Sequence, residues 1–180
     1  MTDFLAKDVD KLEKPSNYMK FELGDNKFRA LDSMITGWVG WTVNAEGQRR
    51  PIRKPADGVF RTDEVEDISK IKPFYAFPVW NYKHEAVQIL EVTQKGIQKS
   101  IKGLARNSEW GNPTGDEGYD ITVTREGEGL DTEYSVAPSP KKKLDPIAIQ
   151  TYKDTIINLD ALYDGKDPFE VSTDDVPDNL

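Results

Sequence analysis

A chain of 180 residues, 31% charged and 37% hydrophobic, has room for one domain and an appendage. It has no cysteine and a single histidine, His84, which leaves zinc centres, disulfide frameworks and Ser–His or Cys–His nucleophile pairs without the residues they need. The net charge of −8 argues against a nucleic-acid partner at first sight, but the acid is unevenly placed: residues 1–143 carry a net −1 and residues 144–180 a net −7.

The motif inventory narrows the chemistry further. Neither a GxxxxGK[ST] loop nor a GxGxxG turn occurs, and the stretch Glu126-Gly127-Glu128-Gly129 carries acid where a phosphate cradle needs none. No cofactor, no metal site and no enzymatic activity are expected, although a carboxylate-only metal enzyme stays open because Asp and Glu are plentiful. No run approaches the roughly 18 apolar residues that cross a bilayer. The charged N-terminus does not read as a secretory signal, so the cytoplasm is the simplest location and no membrane partner is expected.

In chain order, residues 1–16 mix Lys and Asp with scattered apolar residues, as a short helix or a mobile arm. Residues 18–23 and 26–31 alternate polar and apolar across Gly24-Asp25 and read as two half-buried strands. Residues 34–42 are strand-like, with Gly37 and Gly40 suggesting a bend or a close approach. A basic excursion over 44–58 carries Arg49, Arg50, Arg53 and Lys54, and an acidic loop follows over 62–72. The strongest β signal is 74–82, followed by a short turn and 86–92. Pro78 argues for an edge position or a bulge in the first of these strands.

From Thr93, a candidate N-cap, the period becomes helical. Ile97, Ile101 and Leu104 form an apolar face, and Lys95, Lys99, Lys102 and Arg106 a basic stripe that reads as solvated. Strands at 119–125 and 132–137 flank the turn at 127–129, and the prolines at 138 and 140 close the domain. Asp145-Pro146 starts a helix, with Asp as N-cap and Pro in the first turn. Its apolar stripe is Ile149, Tyr152, Ile156, Leu159 and Tyr163, and it stops at Gly165. Residues 166–180 are acidic, punctuated by proline and expected to be disordered. The organisation expected is therefore an arm over 1–16, a β domain over 17–140, a linker and amphipathic helix over 141–165, and a tail over 166–180.

A helix between the third and fourth of five strands is the order of an OB fold. The expected class is mainly β: an OB-like five-stranded Greek-key barrel with a C-terminal helix and acidic tail appended. A single-strand binder on such a barrel needs aromatic platforms for bases and a positive groove for phosphates. The candidates are Trp38, Trp41, Tyr75, Trp80 and Tyr82 as platforms, with Arg49, Arg50, Arg53, Lys54, Lys83 and Arg125 as phosphate contacts. Residues 74–82 are apolar on both pleat faces, and a small barrel has one inside, so the other face needs DNA, a loop or a second subunit. Trp38 and Trp41 lie three apart and should face opposite sides, one in the core and the other exposed.

The stretches WVGWT, KPFYAFPVWNY, VQILEVTQKGIQKSI and EWGNPTG…YDITVTREGEGLDTEYSV resemble phage and prophage single-stranded DNA-binding proteins of the T-even type. The resemblance covers residues 18–140 and is most distinctive over 87–101. It implies an OB-fold core, cooperative coating of single strands in replication and recombination, an acidic C-terminal tail and a homo-oligomer on DNA. That family's zinc site is not implied, because its Cys and His ligands are missing. The tip Asp174-Asp175-Val176-Pro177 resembles the partner-docking end of bacterial single-strand binding proteins, without the final aromatic. Phe169 is the candidate substitute, and replication or recombination proteins are the expected partners. The competing reading is an acidic protein-interaction or DNA-mimic module that does not bind DNA.

Overall fold

The structure, a computed structural model, describes residues 4, 5 and 16–170. It is mainly β, a seven-stranded antiparallel sheet with two α-helices among the described residues. The strands are β1 Gly24–Ala30, β2 Ile35–Val43, β3 Arg49–Lys54, β4 Lys72–Asn81, β5 Ala86–Val92, β6 Ile121–Glu126 and β7 Glu133–Pro138. Helix α1, Lys95–Arg106, falls between β5 and β6, and α2, Pro146–Asp154, follows β7. Among the described residues no helix is long and apolar enough to cross a membrane.

Strand β4 is the centre of the sheet. One edge pairs with β5 from Tyr75↔Val92 to Asn81↔Ala86. The other edge is shared: β2 takes its first half, Ile35↔Ala76 to Val39↔Lys72, and β1 its second, Phe28↔Asn81 to Ala30↔Val79. Between these ladders residues 31–34 face only Phe77 and Pro78, so the chain bulges. The Leu31 amide donates to the Pro78 carbonyl at 2.9 Å, and proline's missing N–H points into the same gap. The strand that carries Pro78 is thus neither an edge nor bulged: it is the central strand, and the extra residues lie opposite it, between β1 and β2. Outward from this core, β3 pairs with β2, β6 with β1 and β7 with β6.

The sheet does not close into the expected five-stranded barrel: no β5–β7 ladder is present among the described residues. The free edge of β5 is taken instead by residues 17–19, which bridge it in parallel at Tyr18↔Ile89. Residues 18–23 do not form the expected strand. The Asn26 side chain accepts from the Glu22 amide and donates to the Glu22, Gly24 and Val123 carbonyls, holding a loop there, and the strand runs through the expected turn at Gly24.

Both faces of β4 are buried. On the inner face Phe77 and Val79 pack with Phe28, Leu90, Val92, Ile121 and Val123 under Ile97 and Ile101 of α1. Gln94 rather than Thr93 caps this helix, its side-chain oxygen accepting from the Ile97 amide. On the outer face Val39, Phe74, Ala76 and Ile89 pack against Leu162, with Tyr163 and Phe169 beside them, and Trp80 packs against Leu144 and Ala148. The second cover is thus the chain's own C-terminal segment. Residues 141–165 are not a linker, and the stretch expected to be free of the core from 166 onward contributes Phe169. Helix α2 starts at its Asp145 cap as expected but ends at Asp154, and a 3-10 turn over Leu159–Asp164 continues to Gly165, whose φ is +68°.

One buried ion pair ties three distant segments together. The Arg29 Nε donates to Asp120 Oδ1 at 2.8 Å with both side chains fully buried. The same guanidinium donates to the Gly115 and Lys142 carbonyls, and the Tyr82 hydroxyl donates to Asp120 at 2.7 Å. Burial and the Asp120 carboxylate push the Tyr82 phenol well above its ordinary pKa, so it stays a donor.

Two stability predictions follow from this packing. Asp120→Asn leaves Arg29 buried without a counter-charge and should cost about 3–5 kcal/mol in urea unfolding; a loss within experimental error would contradict the pair's structural role. A chain ending after Glu170 should melt like the full chain, whereas one ending after Lys143 uncovers Phe74, Ile89 and Trp80 and should lose cooperative unfolding.

Candidate nucleic-acid interface

The β2–β3 hairpin projects from the body of the sheet, since Gly40 to Val43 pair with β3 but not with β4. Its turn runs through Asn44, whose side-chain oxygen accepts from the Glu46 and Gln48 amides, and Gly47 at φ +78°. The basic excursion of the sequence is therefore strand β3, whose register places Arg49, Arg53 and Lys54 opposite Val43, Val39 and Trp38. Neither hairpin tryptophan is core: Trp41 stands on the projecting half, whereas Trp38, opposite Pro73 of β4, lies beside the loop after β3. Trp38 is 38% and Trp41 37% exposed, on opposite faces, and the Trp38 indole donates to the Ala56 carbonyl at 3.0 Å. Beneath the Trp38 face, the loop after β3 buries Phe60 and Val65 against Gly40, where a Cβ would lie 2.7 Å from Val65.

The Trp41 face is open. Val39, Trp41, Arg49, Lys70, Lys72, Glu91 and Thr93 line a groove of about 370 Å³. The Arg49 guanidinium sits 4.7 Å above the Trp41 ring and pairs with Glu66 at 3.2 Å. Both contacts are exposed and weak: a surface ion pair is worth about 0–1 kcal/mol and an exposed cation–π contact about 0.5–1. A base worth about 1–3 kcal/mol of stacking, together with a phosphate for the arginine, can replace them.

The other sequence candidates divide. Arg50 is exposed. Arg53 is held at 2.6 Å by Glu91, with side chains only 12% and 18% exposed, so withdrawing it would strand a half-buried carboxylate. Lys54 is engaged by Glu64 and the Val59 carbonyl. Lys83 pairs with Glu22, and Arg125 donates to the Phe21 carbonyl. Tyr75 packs against the inner core, and Tyr82 lies half-buried beneath Lys27 and Lys142.

Trp80 is not the platform that its sequence position suggests: it is 5% exposed, packed under Leu144 and Ala148. Releasing the cover would expose Val39, Phe74, Trp80, Ile89 and Leu162, at roughly 1.5–3 kcal/mol each. The sum exceeds what stacking one or two bases returns, so the cover stays shut. Phe169 packs against the outer-face cluster and is half-buried rather than presented to a partner. Asp174, Asp175, Val176 and Pro177 lie outside the described residues. Lys70 and Lys72 were missed in the sequence; the alternation Lys70-Ile71-Lys72 leading into β4 was the available signal.

The site thus consists of Trp41, Arg49, Lys70 and Lys72, with Arg50 nearby on β3 and Trp38 on the reverse face. Among the described residues no cluster of His, Asp or Glu is arranged to hold a metal ion. Exchange of Glu91 for Gln should free Arg53 and raise the positive charge of the groove, strengthening binding of any polyanion. Heparin retention at low salt checks this, and unchanged retention would contradict it. No protein-family model matches the chain, and no curated protein or solved structure matches it.

Proposed function

We propose that the protein binds single-stranded DNA without sequence specificity, in phage replication or recombination, through the hairpin groove. The observation that carries this reading is the pairing of an open aromatic face, Trp41, with Arg49, Lys70 and Lys72 around one groove. A sequence-tolerant binder needs this combination, because every base has a π-face and every nucleotide a phosphate. The sheet supports the reading at the level of topology. Counting β1 and β2 as one bulged strand, its ladders follow the Greek-key path of a partly open OB barrel, with α1 in the expected place and only the closing pair absent. The β2–β3 hairpin then belongs to the connection between the first two barrel strands, one of the loops through which such folds hold oligonucleotides.

The acidic end fits as a regulator and partner hook. Residues 171–180 carry a net −3, and the chain enters them from Glu170, beside Phe169. Phe169 belongs to the same cluster as Val39, which also lines the groove. A tethered anion there competes with DNA at an effective concentration in the mM range, and salt weakens the competition. The alternative reading, an acidic interaction module, draws support from the ion pairs that already engage Arg49, Arg53 and Lys54.

Titration of the full chain with oligo-dT, read by tryptophan fluorescence and by anisotropy of labelled DNA, separates the two. The groove reading predicts quenching at saturation and a loss of about 5- to 150-fold in affinity for Trp41→Ala. Lys70→Gln with Lys72→Gln should flatten the salt dependence by a slope of up to about 0.7 per lost contact. Absence of binding at low salt would favour the interaction module. A chain ending after Glu170 should bind more tightly than the full chain at low salt and equally at high salt; equal affinity at both would remove autoinhibition and leave the groove standing.

A further inference from the structure

The outer face of the sheet has a second basic cluster, away from the hairpin. Lys27 of β1 and Lys142 reach the same oxygen, Asp120 Oδ2, at 3.6 and 3.5 Å. Arg29 already neutralises that carboxylate through the other oxygen at 2.8 Å. Three cations thus converge on one anion, and the cluster carries a surplus of two positive charges. Neither ammonium makes a normal hydrogen bond to Oδ2, which is buried and without a hydrogen-bond partner. Their donors are left for another acceptor, and their side chains are 41% and 55% exposed.

The cluster is held in place rather than loosely solvated. The Lys142 carbonyl accepts from Arg29 and its amide donates to the Gly118 carbonyl, which fixes its backbone at two points. Lys27 lies within β1, and its carbonyl accepts from the Tyr82 amide. Both ammonium groups lie over the Tyr82 ring, at 5.1 and 5.8 Å from its centre, so a base has little room to stack there. Lys142 also lines an adjoining groove with Lys141 and Lys143, where Asp116 and Glu117 stand beside them.

We propose that Lys27 and Lys142, set over Tyr82 by the buried Arg29–Asp120 pair, form a phosphate-binding site distinct from the hairpin groove. Because both ammonium groups converge on one oxygen, a single phosphate can bridge them with charge-assisted hydrogen bonds, the strong kind. The phosphate can belong to a strand backbone or to a free phosphate or mononucleotide. The site does not depend on the hairpin's binding DNA.

The test is NMR of the lysine ε-CH2 groups of the full-length protein, titrated with inorganic phosphate, then dTMP, then oligo-dT. Saturable shifts at Lys27 and Lys142, larger than those of Lys95, Lys99 and Lys102 on α1, are expected. Lys142→Gln should weaken phosphate binding about tenfold or more and Lys142→Arg should restore it. If Lys142→Gln does not fold, the wild-type comparison with the α1 lysines decides alone. Uniform shifts across all these lysines, or none, overturn the site. Competition between oligo-dT and phosphate for the two lysines assigns it to a strand backbone. Shifts with phosphate or dTMP that bound oligo-dT leaves untouched assign it to free phosphates. Failure of oligo-dT to bind at all, with the phosphate shifts retained, overturns the hairpin reading and not this site.

Discussion

Strand β4 is apolar on both faces, and each face needs its own cover. Phe77 and Val79 point inward to α1 and the remaining strands, while Phe74, Ala76 and Trp80 point outward to the segment from Leu144 to Phe169. An uncovered outer face would place several large apolar side chains in water, a patch that a monomer rarely tolerates. Supplying the cover from the same chain has a functional consequence. It closes the middle of the outer face, over Phe74, Ala76 and Trp80, and leaves the projecting hairpin as the place where a tryptophan and basic groups line an open groove.

Charge is arranged around this core in a consistent way. Half-buried basic side chains have fixed partners, Arg53 with Glu91 and Lys54 with Glu64, and the fully buried Arg29 has Asp120. Exposed ones either pair weakly, as Arg49 does with Glu66, or converge in surplus, as Lys27 and Lys142 do. The depth of a basic residue therefore separates structural cations from those that can exchange a carboxylate for a phosphate at small cost.

Much of the fold was legible because its signals were local. The apolar, aromatic and β-branched runs of β4 and β5, the 3.6-residue period of α1 and the Asp145-Pro146 helix start each needed a few residues only. The double-sided apolarity of residues 74–82 correctly announced a second cover. Its identity was not legible, because Leu144, Ala148, Leu162 and Phe169 reach the sheet across more than sixty intervening residues. The same limit hid the partners of Arg53 and Lys54: a carboxylate that is distant in sequence, such as Glu91, gives no periodic signal. Strand β3 was obscured by its charges and Pro51, and it forms because its partner is the tryptophan-bearing edge of β2.

Amide hydrogen exchange of the full chain, with and without saturating oligo-dT, tests directly whether an open hairpin beside a sealed strand face is the binding device. The account predicts new protection over Ile35–Val43 and Arg49–Lys54 and around Lys70 and Lys72, with residues 144–169 equally protected in both states. Loss of protection over 144–169 on binding, or a hairpin that does not respond, would contradict it.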